Sequence, residues 1–153
     1  MDKEVIFRGK LSHSGEWVFG SLLKIGSNYH IVTESDMCED GHHICQESDT
    51  PTWVDPDTVG QYAGLNDKHG KKVFEGDIVR RKDSAFGSVD TGVVKYDCLL
   101  GAFVLEYEDY GRVYQCTFKK DFSYNDGKCT IEGTYSYEAI GNVFDNSELL
   151  STK

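Results

Sequence analysis

The sequence contains only two prolines and two methionines, and it has no run of about 18 apolar residues. A membrane-spanning helix needs a run of that length, so we predict no membrane span and no membrane partner. The first four residues, Met1 to Glu4, also lack the charged and then apolar order of a secretory signal. We therefore expect a cytoplasmic protein.

Cysteines are few, odd in number and scattered, and no export signal accompanies them. These features favour free thiols over a disulfide framework. The five cysteines are Cys38, Cys45, Cys98, Cys116 and Cys129. Cys98 and Cys116 lie on strand-like stretches, where we expect each to act as a small buried hydrophobic residue.

Basic residues are outnumbered by acidic ones, 16 to 26, which gives a formal net charge of −10. This charge opposes the phosphate backbone, so non-specific DNA binding is disfavoured. The distribution is uneven, because residues 25–67 contain no Lys or Arg whereas residues 68–82 contain six. The basic segment is either a solvated face or a binding patch. We favour the solvated face, since exposed surfaces normally carry such charge.

Catalytic motifs are also absent from the sequence. It has no Gly-x-Ser-x-Gly turn and no His-Glu-x-x-His helix, and Gly70-Lys71-Lys72 is not followed by the Ser or Thr of a phosphate-binding loop. We therefore predict no enzymatic activity and no cofactor.

Residues 38–45 contain the densest group of metal-ligand side chains in the chain. Thiols and imidazoles are the ligands that zinc prefers. The four side chains are Cys38, His42, His43 and Cys45. Their spacing lacks the paired short knuckles of common zinc sites, so we favour a polar hairpin tip over a metal site.

Short apolar segments and closely spaced turns dominate the rest of the chain. Residues 5–7, 17–19 and 29–32 are separated by turn residues and predict an antiparallel meander, while residues 92–96 and 102–107 predict a hairpin. No comparable stretch shows a sustained helical period, so the fold class is mainly β.

Alternation along two of the predicted strands assigns side chains to faces. Residues of equal parity lie on the same side of a strand. The two groups are Phe103, Leu105 and Tyr107 on one strand, and Tyr114, Cys116 and Phe118 on the next.

Residues 54–79, VDPDTVGQYAGLNDKHGKKVFEGDIV, combine strand-like stretches with turn-forming residues. Together with residues 7–10, 15–23 and 139–150, they resemble the YopX family of bacteriophage and prophage proteins. That family has no well-established biochemical activity and no agreed catalytic residues.

The resemblance implies an SH3-type small barrel, which we place at about residues 55–150. The predicted domains are therefore an SH3-like barrel domain, residues 55–153, and a smaller β-rich N-terminal portion, residues 1–54, with an acidic loop or arm. We expect the strand around residues 140–144 to complete the sheet that begins near Val59 or Ile78.

Turn chemistry explains the residue types between the strands of the matched segment. Gly70 and Gly76 can adopt backbone conformations closed to other residues, Asp67 can close its turn, and Asp77 can satisfy a loose amide. The alternative makes this loop one wall of a groove for peptides or nucleic acid. The side chains of that groove would be Gln61, Tyr62, Lys68, Lys71, Lys72 and Phe74.

Three function classes remain compatible with the sequence, and the first is favoured. It is a non-enzymatic protein-binding or self-assembling module, with other copies of the chain or a host or phage protein as partner. Trp17 and Phe19 share one face of their strand and are the expected anchors of a homo-oligomer. The second class is a nucleic-acid-binding module that uses residues 68–82. The third is a metal-dependent enzyme.

Overall fold

The computed structural model describes residues 4–36, 53–84, 86–118, 121–125, 128–132 and 135–150. These residues form β-strands and short 3-10 turns, without an α-helix, which confirms the mainly β prediction. The strands are β1 Phe7–Lys10, β2 Trp17–Ile25, β3 Asn28–Val32, β4 Trp53–Val54, β5 Gly60–Asn66, β6 Lys72–Phe74, β7 Asp77–Asp83, β8 Val89–Asp97, β9 Ala102–Asp109, β10 Arg112–Thr117, β11 Asp121–Asn125, β12 Lys128–Glu132 and β13 Tyr135–Asn142. In this part of the chain, no helix is long and apolar enough to cross a membrane.

The chain divides into two compact units, Met1–Gly64 and Leu65–Lys153, with the boundary inside β5. The sequence places this boundary ten residues earlier, between residues 54 and 55. The start of β5 belongs to the first unit because Gly60 and Gln61 pair with Arg8 and Phe7 of β1.

The first unit is built on antiparallel strands in the order β4-β3-β2-β1-β5. Residues 17–20 of β2 pair with β1, and residues 21–25 of the same strand pair with β3. The two halves meet at Gly20, where an added Cβ would lie 2.0 Å from the carbonyl oxygen of Val32. The predicted meander of the first three strands is confirmed.

Strand β4, at the far edge of this sheet, also contacts the residues at the end of β1 and just after it. Leu11 and Val54 form an isolated bridge. The N–H of Ser12 donates to the carbonyl of Trp53 at 2.9 Å, and the N–H of Asp55 donates to that of Lys10 at 2.8 Å. The sheet therefore curls strongly, and Val54 is buried in the core of the unit.

The second unit contains a five-stranded antiparallel sheet in the order β10-β9-β8-β7-β13, and β11 and β12 form a separate hairpin. The predicted hairpin at residues 92–107 is confirmed by the pairing of β8 with β9. Strand β13 pairs with β7, with Gly141 opposite Ile78. Of the two partners predicted for this final strand, near Val59 or near Ile78, the structure has the one near Ile78.

The predicted barrel over residues 55–150 is not closed in the described residues. Strands β10 and β13 are the two edges of the sheet, and β11 and β12, which pair with each other, lie between them in the sequence. The sheet nevertheless curls, as a contact between its strands shows. Nη1 of Arg81 on β7 lies 3.1 Å from Sγ of Cys116 on β10. In a flat sheet these strands would be about 14 Å apart, at about 4.8 Å per strand spacing.

The predicted side-chain faces agree with the strand register. Leu105 lies opposite Cys116 and Tyr107 opposite Tyr114, so both predicted groups share one face of the sheet. The burial prediction for Cys98 is wrong, because this residue follows the end of β8 and is exposed in the turn, whereas Cys116 is half-buried within β10.

Candidate binding groove

An open groove of about 650 Å³ lies in the first unit. Its lining comes from the segment before β1, the middle of β2 and the chain at the end of β3. We call it the N-terminal groove, with the apolar lining residues Val5, Ile6, Phe19 and Val32 and the acidic lining residues Glu4 and Glu34.

The change of pairing partner along β2 explains why space opens at this point. Pairing with β1 ends where Phe7 lies opposite Gly20, and pairing with β3 ends where Val32 lies opposite Ser21. The segment before β1 and the segment after β3 therefore separate from β2 at adjacent residues, Gly20 and Ser21, one on each side of the strand. Because an added Cβ at Gly20 would clash with Val32, close approach of the two backbones depends on this glycine.

Hydrogen bonds hold both walls of the groove in place. The N–H of Tyr62 donates to the carbonyl of Ile6 at 2.8 Å, which ties the first wall to β5. On the second wall, Oδ2 of Asp36 accepts from the backbone N–H and the hydroxyl of Thr33, at 2.6 and 2.7 Å. Both walls of the site are thus held by hydrogen bonds to the backbone.

The exposed lining combines apolar surface with negative charge. Val5 is 53% exposed and Phe19 is 51% exposed, so both present apolar surface to solvent. Glu4 and Glu34 add carboxylates, and none of the lining residues is cationic. This chemistry suits an apolar side chain flanked by positive charge.

The two predicted oligomer anchors lie in different surroundings. Phe19 lines the N-terminal groove. Trp17 is half-buried, and its ring lies 4.7 Å from the guanidinium carbon of Arg8 and 5.3 Å from Nζ of Lys10. Cation–π contacts therefore engage Trp17, while Phe19 keeps half its surface exposed.

The six residues predicted to line a groove near the turn are divided between the units. Gln61 and Tyr62 are half-buried in the first unit, and the other four belong to the second. Among those four, Phe74 is only 4% exposed and therefore contributes to the core, whereas Lys68 and Lys71 are exposed. Lys72 is half-buried in β6.

Asp67 and Asp77 have the structural roles that turn chemistry predicts. Oδ1 of Asp67 accepts from the N–H groups of His69 and Lys71 at 2.8 and 2.9 Å, and its Oδ2 accepts from that of Ala139 at 3.2 Å. Oδ2 of Asp77 accepts from the N–H of Phe74 at 2.9 Å. Gly70 and Gly76 have φ angles of 82° and 81°, as predicted.

Part of the basic segment gathers around a single carboxylate, that of Glu138. Nζ of Lys68 lies 3.0 Å from it, Nε2 of His69 3.4 Å and Nη1 of Arg80 3.7 Å. The hydrogen bond from Lys68 lowers the pKa of Glu138, and burial opposes this change only partly. These bases are therefore partly neutralised within the chain.

Arg81 lies on the opposite face of β7, at the centre of a cluster that sequence reasoning missed. Its Nη2 lies 2.6 Å from Oδ2 of Asp90 and 3.3 Å from the hydroxyl of Tyr107. Burial alone would lower the pKa of Arg81, but the bond to Asp90 and nearby charges raise it. Burial also raises the pKa of the Cys116 thiol, which Arg81 only partly offsets. The sequence signal that could have found this cluster is strand alternation, which places Arg81 on the opposite face of β7 from Arg80 and Lys82.

The four predicted zinc-ligand candidates, Cys38, His42, His43 and Cys45, lie outside the described residues, so that interpretation stays a prediction. Within the described residues, no group of three or more His, Cys, Asp or Glu side chains is placed to hold a metal ion.

A family model described as YopX protein matches residues 6–151. The chain belongs to the YopX family. The resemblance seen in the sequence is therefore confirmed, and the match includes residues of both units and most of the groove lining. A search of curated proteins found no match.

Proposed function

We propose that this YopX-family chain is a non-enzymatic protein-binding module that holds an apolar, cation-flanked protein segment in the N-terminal groove. The main support is one observation: exposed apolar side chains and two carboxylates line the same open groove. Its volume of about 650 Å³ falls within the range of known ligand sites, roughly 300–1,000 Å³.

Covering Phe19 gives such a complex its main energetic contribution. Complete burial of a large apolar side chain is worth about 1.5–3 kcal/mol, and half of the Phe19 surface is still exposed. The carboxylates of Glu4 and Glu34 then favour basic over acidic flanks, because like charges brought together oppose binding.

The strand order of the first unit adds support at the level of fold. We propose that this unit, and not residues 55–150, is the SH3-type part of the chain. A 3-10 turn, Pro56–Thr58, lies between β4 and β5, and β5 pairs with β1, an arrangement that resembles SH3-type barrels. SH3 domains bind extended peptides in surface grooves, although fold likeness alone does not establish function.

Fluorescence polarisation with two labelled peptides tests the proposal. Both peptides carry the same apolar centre, one flanked by lysines and the other by glutamates. We expect the lysine-flanked peptide to bind, with affinity falling about tenfold in Phe19→Ser, the effect of about 1.4 kcal/mol. The double variant Glu4→Lys with Glu34→Lys should reverse the preference between flanks.

Phe144→Ser is the matched control, because Phe144 is also an exposed phenylalanine but lies in the second unit. It should bind the lysine-flanked peptide as the wild-type chain does. Absence of binding by the wild-type chain, or equal binding by Phe19→Ser, would contradict the proposal.

A further inference from the structure

We propose that the segment held in the N-terminal groove is the β7–β8 turn of a second copy of the chain, with Phe86 as the inserted side chain. This inference rests on the proposed function, because it names the partner of the same groove.

Phe86 follows β7 and is 88% exposed. Its N–H donates to Oδ1 of Asp83 at 3.2 Å. The N–H of Asp83 donates to the carbonyl of Ser88, and the N–H of Gly87 donates to the carbonyl of Asp83, both at 2.9 Å. These bonds hold the backbone at Phe86, and its large apolar side chain is almost fully exposed, as expected for a residue that contacts a partner protein.

The charge next to Phe86 complements that of the groove. Arg80 and Lys82 are both exposed on β7, and alternation places them on the same face of that strand. Lys82 is four residues from Phe86 in the chain. Arg80 already contacts Glu138, so Lys82 supplies the main positive charge near this turn. An exposed aromatic side chain with a cation four residues away fits a groove that offers apolar surface with the carboxylates of Glu4 and Glu34.

Two other turns of the second unit also present apolar side chains, but their charges fit less well. Leu99 is 98% exposed and follows Asp97, and Tyr110 follows Asp109. Asp97 and Asp109 are only half-buried, so each would bring a carboxylate towards an acidic groove, although Arg112 lies near Tyr110. The carboxylate of the β7–β8 turn, that of Asp83, is buried. Charge therefore favours the β7–β8 turn as the occupant.

The proposed contact joins different surfaces of two copies and is therefore heterologous. Each copy that inserts Phe86 into a neighbour keeps its own groove open for another copy. Such contacts produce rings when the rotation between copies closes, and open chains when it does not.

Sedimentation velocity at several concentrations tests this inference on the full chain. The wild-type chain should associate as its concentration rises, whereas Phe86→Ser and Phe19→Ser should each need at least about tenfold higher concentrations to do so. An equimolar mixture of these two variants should form a dimer and nothing larger, because one retains only the groove and the other only the Phe86 turn. Leu99→Ser, the matched control, should associate as the wild-type chain does.

A charge exchange provides a second measurement that does not require removing an aromatic ring. Lys82→Glu should weaken association about tenfold, and Glu34→Lys in the same chain should restore much of it. Far-UV circular dichroism and thermal melts should show that every variant is folded, since the altered side chains are all at least half exposed or on exposed segments.

A wild-type chain that stays monomeric, Phe86→Ser that associates normally, or loss of association in Leu99→Ser would overturn the inference. Binding of the lysine-flanked peptide shows whether only this inference fails or the proposed function fails as well. Phe86→Ser retains the groove and should still bind that peptide. Peptide binding without self-association leaves the groove as a binding site for another protein and removes the second copy as its partner.

Discussion

Asp67 shows how single atoms fix the turn between β5 and β6. Burial alone would raise the pKa of its carboxyl group, but hydrogen bonds from the backbone amides of Lys71, His69 and Ala139 outweigh burial and lower it. The ionised carboxylate therefore stabilises the folded state. It does so at neutral pH, and the stabilisation is lost as the pH falls below the unfolded-state pKa, about 3.9, towards the lower folded-state value.

We expect Asp67→Asn to lower the free energy of unfolding by about 1–3 kcal/mol at pH 7, because the amide cannot accept from all three N–H groups without placing a donor against one of them. The difference from wild type should shrink as the pH falls below about 3.9. Urea unfolding at several pH values measures it. Asp57→Asn, at an exposed aspartate, is the control and should change stability by less than about 0.5 kcal/mol. Equal losses in the two variants would contradict this role.

At the residue scale, the sequence predicts the roles of residues that act on the chain next to them. Asp67 and Asp77 accept from amides two to four residues away and Gly70 has a positive φ, and their residue types indicate these local roles directly. The further bond of Asp67 to the N–H of Ala139 joins distant residues and was not predicted. The acidic lining of the groove could not be predicted in this way. Glu4 and Glu34 are 30 residues apart, and they line one site only because β2 changes its pairing partner between residues 20 and 21.

At the scale of elements, β13 covers one side of β7 and brings distant segments together. Its residues pair with β7 from Tyr135 to Asn142. Beyond its end, the N–H of Val143 donates to the carbonyl of Gly76 at 2.9 Å. The chain end therefore completes hydrogen bonding at both the Asp67 and the Gly76 turns.

Deleting residues 139–153 should abolish the cooperative melt of the second unit. The deletion exposes an edge of β7 and removes hydrogen-bond partners of two buried residues, Asp67 and Gly76. Differential scanning calorimetry measures the transition. A chain shortened only by residues 151–153 is the control and should melt as the full chain does. A cooperative second-unit transition in the longer deletion would show that β13 is dispensable.

Local pairings between elements were predictable, whereas distant ones were only partly so. The β1–β2 and β8–β9 hairpins follow from short turns and alternating residues. The pairing of β13 with β7 joins segments some 60 residues apart, and the sequence left two partners open. The predicted closure of the sheet was wrong. Strands β10 and β13 remain its two edges, and the β11–β12 hairpin between them in the sequence forms a separate sheet.

At the scale of the whole molecule, acidic residues outnumber basic ones and several bases have carboxylate partners. The formal net charge is −10, and several bases of residues 68–82 already have carboxylate partners. Lys68 and Arg80 contact Glu138, and Arg81 contacts Asp90 on the opposite face of β7. The six bases thus do not act as one uniform basic surface.

We expect binding to duplex and single-stranded DNA to be absent or very weak at physiological salt, because the net charge repels phosphates. Electrophoretic mobility shifts at two salt concentrations measure it, with Lys71→Glu and Lys72→Glu combined as the comparison. Micromolar binding by the wild-type chain that this double variant loses would favour a nucleic-acid-binding function instead.

The location of the binding site is the central claim, and an NMR titration tests it most directly. The lysine-flanked apolar peptide is added to the isotope-labelled full chain, carrying Phe86→Ser to remove the proposed competing turn, and amide shifts are followed. We predict that the largest changes fall on residues 4–6, 19–21 and 32–34, which line the groove. Changes confined to residues 61–82, or no changes at all, would contradict it.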